Sequence, residues 1–236
     1  MARTMLSGGF PPPPPFTKNI LIGLIGLYII ELLGNSWVDI PLVNILGWWP
    51  GAQFEIWQPL TCYLIQGKTP LSALLSILMV YFFFPTVQRR YGKNGLLKMC
   101  SLSIGCSTLL SAIFIVTGAI LPSQGPFMGI LSFVTAAIVV FGLTQPNAQI
   151  LLFFILPIKA AWIAWGSGLL TLLNFLAFRS LEASMICGGW LGGYLFVYQM
   201  KHGSFRKIFV HWNHKRRHKR LSKFTVIDGG KNDTWH

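Results

Sequence analysis

Between Asn19 and Met200 this sequence passes through six apolar runs that ionisable side chains rarely interrupt. The runs fall at about 19–33, 71–84, 96–121, 127–143, 160–178 and 183–200, the second continuing through 85–91 as it leaves its apolar stretch. An α-helix needs ~20 residues to cross ~30 Å of hydrocarbon. With their interfacial residues included, the runs are long enough, so the expected fold is an all-α membrane protein of six transmembrane helices. Composition points the same way. Of 236 residues, 53% are apolar and 11% are charged, where a soluble domain carries about 25% charge. A water-soluble globule of this size cannot hide that much apolar surface.

Charge in the loops sets an expected orientation, because short cytoplasmic segments collect Lys and Arg. Six spans with both termini inside place Arg3, Lys18, Arg89, Arg90, Lys93, Lys98 and the ten bases from Lys201 onward on the cytoplasmic side. The outer side receives Lys68 and Arg179, and Lys159 marks the inner end of the fifth span, where it can snorkel. Three regions follow: an N-terminal arm at 1–18, a transmembrane domain at 19–200 and a basic tail at 201–236. The arm holds Pro11 to Pro15, which favour a stiff polyproline II spacer, and carries no cleavable signal pattern. The net charge of +13 belongs to the tail and a few loops, so it does not indicate nucleic-acid binding. In the tail, Phe205, Phe209 and Trp212 fall on one helical face. Arg206, Lys207, Lys215, Arg216, Arg217, Lys219 and Arg220 supply the charge for anionic lipid headgroups. The segment from Lys223 to Gly230 has the pattern of a short strand and a turn.

The connection between the first two spans, 34–69, is long for a loop and rich in tryptophan: Trp37, Trp48, Trp49 and Trp57 lie among Pro41, Pro50 and Pro59. Tryptophan favours the headgroup interface. This loop is expected to lie on or in the outer leaflet.

Several chemistries are excluded by residue type. Cys62, Cys100, Cys106 and Cys187 have no CxxC spacing and lie in or beside apolar runs, which speaks against a zinc ribbon or a disulfide framework. HExxH, Walker A, GxGxxG and GxSxG patterns are missing. All five histidines, His202, His211, His214, His218 and His236, follow the last apolar run. His211, His214 and His218 share a helical face, but the surrounding bases oppose a cation, so no metal and no cofactor is expected.

Five short motifs, in order, resemble the rhomboid superfamily of intramembrane serine proteases and their non-proteolytic relatives. Trp57-Gln58-Pro59-Leu60-Thr61-Cys62-Tyr63-Leu64-Ile65-Gln66-Gly67 is similar to the family's first-loop stretch W-R-x-x-T-x-x-F/L-x-H-G. Val87-Gln88-Arg89-Arg90-Tyr91-Gly92 resembles x-E-R-R-[WY]-G at the foot of the second span. Gly125-Pro126-Phe127-Met128-Gly129 stands where the family writes G-x-S-G-[AG]. Ile155-Leu156-Pro157-Ile158-Lys159-Ala160 is similar to the segment before the fifth helix. Cys187-Gly188-Gly189-Trp190-Leu191-Gly192-Gly193 stands where the family writes H-x-G-G-x-x-x-G. The resemblance covers about 20–198 and implies a rhomboid-like bundle with a membrane-embedded first loop.

The departures fall on the chemistry. By the resemblance, the nucleophile position is Phe127 and the base position is Cys187. The oxyanion positions are Ser72 and Ser76, and the loop arginine and histidine are Gln58 and Gln66. Amide hydrolysis needs a nucleophile, a base within hydrogen-bond reach and oxyanion donors. With no histidine inside the spans, Cys187 reads as a small buried hydrophobe. Ser132 reads as a hydroxyl bonded to the i−4 carbonyl, and Ser167 as a small residue for helix packing. The paired carboxylates of an aspartyl protease are missing too, because Glu31 is the one clear acid inside a span.

Glu31 is expected to pair with Arg179, to snorkel or to stay protonated, or else to recognise a polar group on a partner helix. Gly188, Gly189, Gly192 and Gly193 are expected to pack the sixth span closely against the fourth near Gly125 and Gly129. The resemblance to pseudoproteases then implies a non-catalytic integral membrane protein that binds transmembrane helices of other proteins, as an adaptor or as a subunit of an oligomer or larger complex. An active intramembrane serine endopeptidase is the first alternative, and a lipid-binding or channel-like protein the second.

Overall fold

A computed structural model describes residues 12–37, 42–49, 55–66, 69–120, 130–152 and 156–203. Helix α1 spans Pro15–Trp37, and the short helices α2, Leu42–Leu46, and α3, Gln58–Thr61, follow in the first loop, with a 3-10 turn at Cys62–Leu64. Then come α4, Pro70–Val116, α5, Leu131–Thr144, and a hairpin of β1, Gln149–Leu152, with β2, Leu156–Lys159. Helices α6, Ala160–Phe178, and α7, Leu181–His202, complete the order. One compact unit reaches Val197, and residues 198–236 form a second, of which only 198–203 are described.

Three of these helices are long and apolar enough to cross a bilayer: Pro15–Gly34, Pro70–Val116 and Ala160–Phe178. Helix α5 is apolar but shorter, at 14 residues. Side chains on the outer faces of the long helices are apolar and exposed, among them Ile22, Leu71, Trp162 and Leu170. Such faces suit hydrocarbon and would associate in water. The chain is therefore a mostly helical membrane protein.

Proline and glycine punctuate it. Pro15 and Pro70 begin their helices, where a missing N–H costs nothing. Thr69 caps α4, its side chain accepting from the Ser72 N–H. Within α4, Gly92 has φ 72° and ψ −179°, a conformation closed to other residues, and the helix breaks there into arms at 70–91 and 93–116. The two apolar runs on either side of Gly92 are thus one hydrogen-bonded element with a kink. At the far end of α4, Gly118 takes φ 69° and turns the chain.

Side-chain contacts give the helix directions. The Thr17 backbone N–H donates to Gln88 Oε1 at 3.0 Å, and the Thr17 hydroxyl bonds the same oxygen. At the other end of α1, the Gln66 N–H donates to Glu31 at 3.4 Å. Helix α1 therefore runs antiparallel to the first arm of α4. Along the second arm, positions 103 and 107 face Gly192 and Gly188, and Ser111 bonds Ser184. The second arm and α7 are therefore antiparallel. Ser132 and Ala136 of α5 face Gly189 and Gly193, so α5 and α7 are parallel. Gly142 meets Ala160 and Ala164, and the hairpin reverses the chain between α5 and α6.

Several expectations change. The fold is not purely helical, since Gln149 pairs with Lys159 and Ile150 with Ile158 in an antiparallel ribbon. Helix α1 starts at Pro15, inside the expected arm, because a proline at the first helical turn is preorganised for it. The third run ends at Val116 rather than 121, and the last begins at Leu181. Phe127, Gly125 and Gly129, the arm before residue 12 and the lipid-binding tail residues Arg206, Lys207, Lys215, Arg216, Arg217, Lys219 and Arg220 lie outside the described residues.

Two clusters form the core. One joins Leu21, Leu24, Val80, Phe84, Val87, Leu96, Met99, Val134, Ala137 and Phe196. The other joins Trp48, Cys62 and Tyr63 of the first loop to Phe175, Leu181 and Met185. The loop is therefore packed into the bundle, as its lack of polarity anticipates.

Candidate functional site

Helix α7 is the centre of the site, and its glycines position it. A Cβ on Gly192 would lie 2.6 Å from Ser103 Cα, and one on Gly193 would lie 2.6 Å from the Ala136 carbonyl oxygen. Gly188 and Gly189 touch Ser107 and Ser132 in the same way. Two adjoining glycine faces thus seat α7 against the second arm of α4 and against α5 at once. The expected partner for all four is the fourth span, which is α5. Gly189 and Gly193 do face it, at Ser132 and Ala136, whereas Gly188 and Gly192 face the second arm of α4; Gly125 and Gly129 lie outside the described residues.

Hydroxyls seal this seam. Ser107 Oγ donates to the Met185 carbonyl at 2.7 Å, and Ser132 Oγ donates to the same carbonyl at 3.0 Å. Ser103 Oγ donates to the Ser132 carbonyl at 3.2 Å, and Ser111 and Ser184 share a bond of 2.7 Å. Ser132 therefore bonds across to α7, because close helix approach brings the Met185 carbonyl within reach of its hydroxyl; its i−4 residue, Met128, lies outside the described residues. Ser103, Ser107, Ser111, Ser132 and Ser184 are all buried. Their spacing of four, mirrored by Gly192, Gly188 and Ser184, was the signal available in the sequence, and it was missed.

Cys187 lines a cleft of about 480 Å³ between α6, the second arm of α4 and α7. Leu110, Phe114, Leu172, Phe175 and Leu191 supply its apolar walls. Phe114 and Phe175 stack at 4.4 Å across one end. Trp190 closes the other, donating its indole N–H to the Ala164 carbonyl at 2.9 Å and packing on Gly168. Thr171 is the polar neighbour of the Cys187 thiol, and its own hydroxyl donates to the Gly168 carbonyl at 2.9 Å. Among the described residues, no histidine, carboxylate or lysine lines this cleft. Ser167 donates to the Ala164 carbonyl at 2.8 Å, one helical turn back.

The oxyanion positions named by the resemblance are engaged elsewhere. Ser72 Oγ donates to the Thr69 carbonyl at 2.8 Å as part of the α4 cap, and Ser76 Oγ donates to the Ser72 carbonyl at 2.9 Å. Neither lines the cleft. In the first loop, Gln58 is buried and its Oε1 accepts from the Trp49 N–H at 3.2 Å. Gln66 is buried as well, its amide donating to the Leu24 carbonyl at 2.7 Å. Both glutamines fasten the loop to its surroundings. Burial pushes the Cys62 thiol up to about 12 and raises the Tyr63 hydroxyl too, so neither ionises near neutrality.

Glu31 does not pair with Arg179. It is buried and accepts the Gln66 N–H, while Arg179, in a left-handed conformation after α6, donates to the Gly118 and Ala119 carbonyls at 3.1 and 2.8 Å. Among the described residues no group of three or more His, Cys, Asp or Glu is placed to hold a metal ion. No family model matches the sequence, and no curated protein matches it.

Proposed function

We propose that this chain is a rhomboid-like membrane protein without protease activity that binds transmembrane helices of partner proteins. The observation carrying this reading is the cleft at Cys187. The position that resembles a catalytic base is a thiol among apolar walls, with no imidazole or carboxylate among the described residues that line the space beside it. A thiol without a base stays protonated and inert. The buried hydroxyls of the seam, Ser103, Ser107, Ser132 and Ser184, are occupied by backbone carbonyls.

The wider reading is a six-span bundle with both termini cytoplasmic. It is supported by the alternating helix directions, by the break at Gly92 that divides α4 into two arms, and by the order of the five motifs. On this reading α5 and α7 cross with help from interfacial residues, and the basic tail rests on anionic headgroups. Association in the bilayer plane would use the exposed apolar faces of α1, α4 and α6, where packing and sparse polar contacts drive helix pairing.

Gentle solubilisation, affinity capture of the full chain and mass spectrometry test this. Membrane proteins recovered in stoichiometric amounts are expected, as is no cleavage of a transmembrane substrate in liposomes. Cleavage that disappears in Cys187→Ala or Ser132→Ala would establish the endopeptidase alternative. Recovery of lipid alone would favour the lipid-binding one.

A further inference from the structure

We propose that an anionic phospholipid binds where α1 meets the kink of α4, its phosphodiester held by Lys18, Arg90 and Lys93 and one acyl chain lying along α1. The contacts at this corner bring separate segments of sequence together. Thr17 is bonded to Gln88, and the Lys93 ammonium sits 4.9 Å from the centre of the Phe16 ring. Arg89 donates to the Pro12 carbonyl at 3.1 Å, and the Arg90 guanidinium lies 5.8 Å from the Tyr91 ring centre. Lys18, Arg89, Arg90, Lys93 and Lys98 are all exposed. No described carboxylate pairs with any of them; Glu31 is at the opposite end of α1, Glu55 is in the first loop, and Glu182 is in the first turn of α7. This many like charges on one corner, with no described carboxylate opposite, call for an anion.

The neighbouring surface says which anion. Lys18 begins a stripe on α1 that continues through Ile22, Ile25 and Ile29, which are 58%, 45% and 50% exposed. Their i, i+4, i+7, i+11 spacing keeps them on one face. At ~1.5 Å per residue the stripe from Lys18 to Ile29 runs about 16 Å, close to the ~15 Å of one leaflet's hydrocarbon. Lys93 and Leu97 repeat the pattern beyond the kink, with Leu97 48% exposed. A free phosphate would use the bases and ignore the stripes. A phospholipid uses both, and Phe16 and Tyr91 sit at the level where aromatic rings favour the headgroup region.

The test is native mass spectrometry of the full chain in neutral detergent, titrated with dioleoylphosphatidylglycerol, dioleoylphosphatidylcholine or inorganic phosphate. Wild type should retain one phosphatidylglycerol more than Lys18→Gln/Arg90→Gln/Lys93→Gln, while adducts on the unaltered tail persist in both. Each charge removed should weaken binding about five-fold, from the energy of a basic residue near an anionic surface. Should the triple variant fail to fold, Lys18→Gln alone must show one such step and Lys18→Arg must restore it. Equal phosphatidylglycerol retention by wild type and variant overturns the proposal. So does equal retention of phosphatidylcholine, or inorganic phosphate competing as well as the lipid. These readouts do not depend on whether the chain binds partner helices.

Discussion

Replacing Gly192 with alanine tests whether the seam between α7 and α4 is as tight as its geometry implies. The new methyl carbon would lie 2.6 Å from Ser103 Cα, 2.8 Å from Ser103 N and 2.9 Å from the Leu102 carbonyl oxygen. Carbon atoms rest at about 3.5–4.0 Å, so the helices must part by roughly an ångström at this level. Every obstructing atom belongs to backbone, and α7 cannot retreat sideways because Gly193 is pressed on Ala136. Overpacking of this kind costs about 1–3 kcal/mol. Stretching the Ser107–Met185 and Ser103–Ser132 bonds adds roughly 0.6 kcal/mol each in a membrane setting. Helix propensity returns about 1 kcal/mol. The net loss of roughly 1–3 kcal/mol should lower the melting temperature by about 2–12 °C, at ~2–4 °C per kcal/mol for a chain of this length. The assay is thermal unfolding in detergent, read by a dye that reacts with cysteines as they become exposed, since all four are free. Gly105→Ala is the control. It lies in the same arm of α4 with nothing within 4 Å of the added carbon, so it should raise the melting temperature by a few degrees. A Gly192→Ala protein that melts with wild type, or both variants shifting in the same direction, would refute the close-packed seam.

Three further outcomes follow from the same contacts. Gly92→Ala forces a side chain into φ 72°, ψ −179°, and should cost about 1–3 kcal/mol by thermal melt, although the site has space for the methyl group. Ser107→Ala and Ser132→Ala should each be mild, because either hydroxyl alone still serves the Met185 carbonyl; the double variant should lose at least ~0.5 kcal/mol more than the two together, and simple additivity would show that the hydroxyls act independently. Cys62, held up to about 12 by burial, should alkylate at pH 8 about a thousand-fold more slowly than an ordinary thiol; with its folded value above the unfolded one, the stability this thiol supports is intact below pH 9 and declines as pH rises towards 12, which urea melts of wild type and Cys62→Ala across that window would register.

Apolar length and residue type were legible without coordinates. The runs gave the long helices, since only backbone that satisfies itself can lie in hydrocarbon. The placement of every histidine after residue 200 removed the usual proton acceptor from the membrane segments. The four glycines from 188 to 193 announced close helix contact. The resemblance implied the fourth span, which Gly189 and Gly193 do touch; that Gly188 and Gly192 touch α4 was not legible, because i, i+4 spacing fixes a face and leaves its partner open. Ser132 shows why. Its partner, the Met185 carbonyl, is 53 residues away in sequence, and only the approach of α7 brings it within reach. Glu31 shows it again: charge suggested Arg179, but the buried loop brought Gln66 to the carboxylate and the α4 turn offered carbonyls to the arginine. Sequence, then, determined which segments favour lipid and which chemistries lack their atoms, because both depend on composition along the chain. Tertiary structure decided the seam, the cleft at Cys187 and the basic corner at Gly92, because each joins residues distant in sequence whose meeting depends on how closely the helices pack.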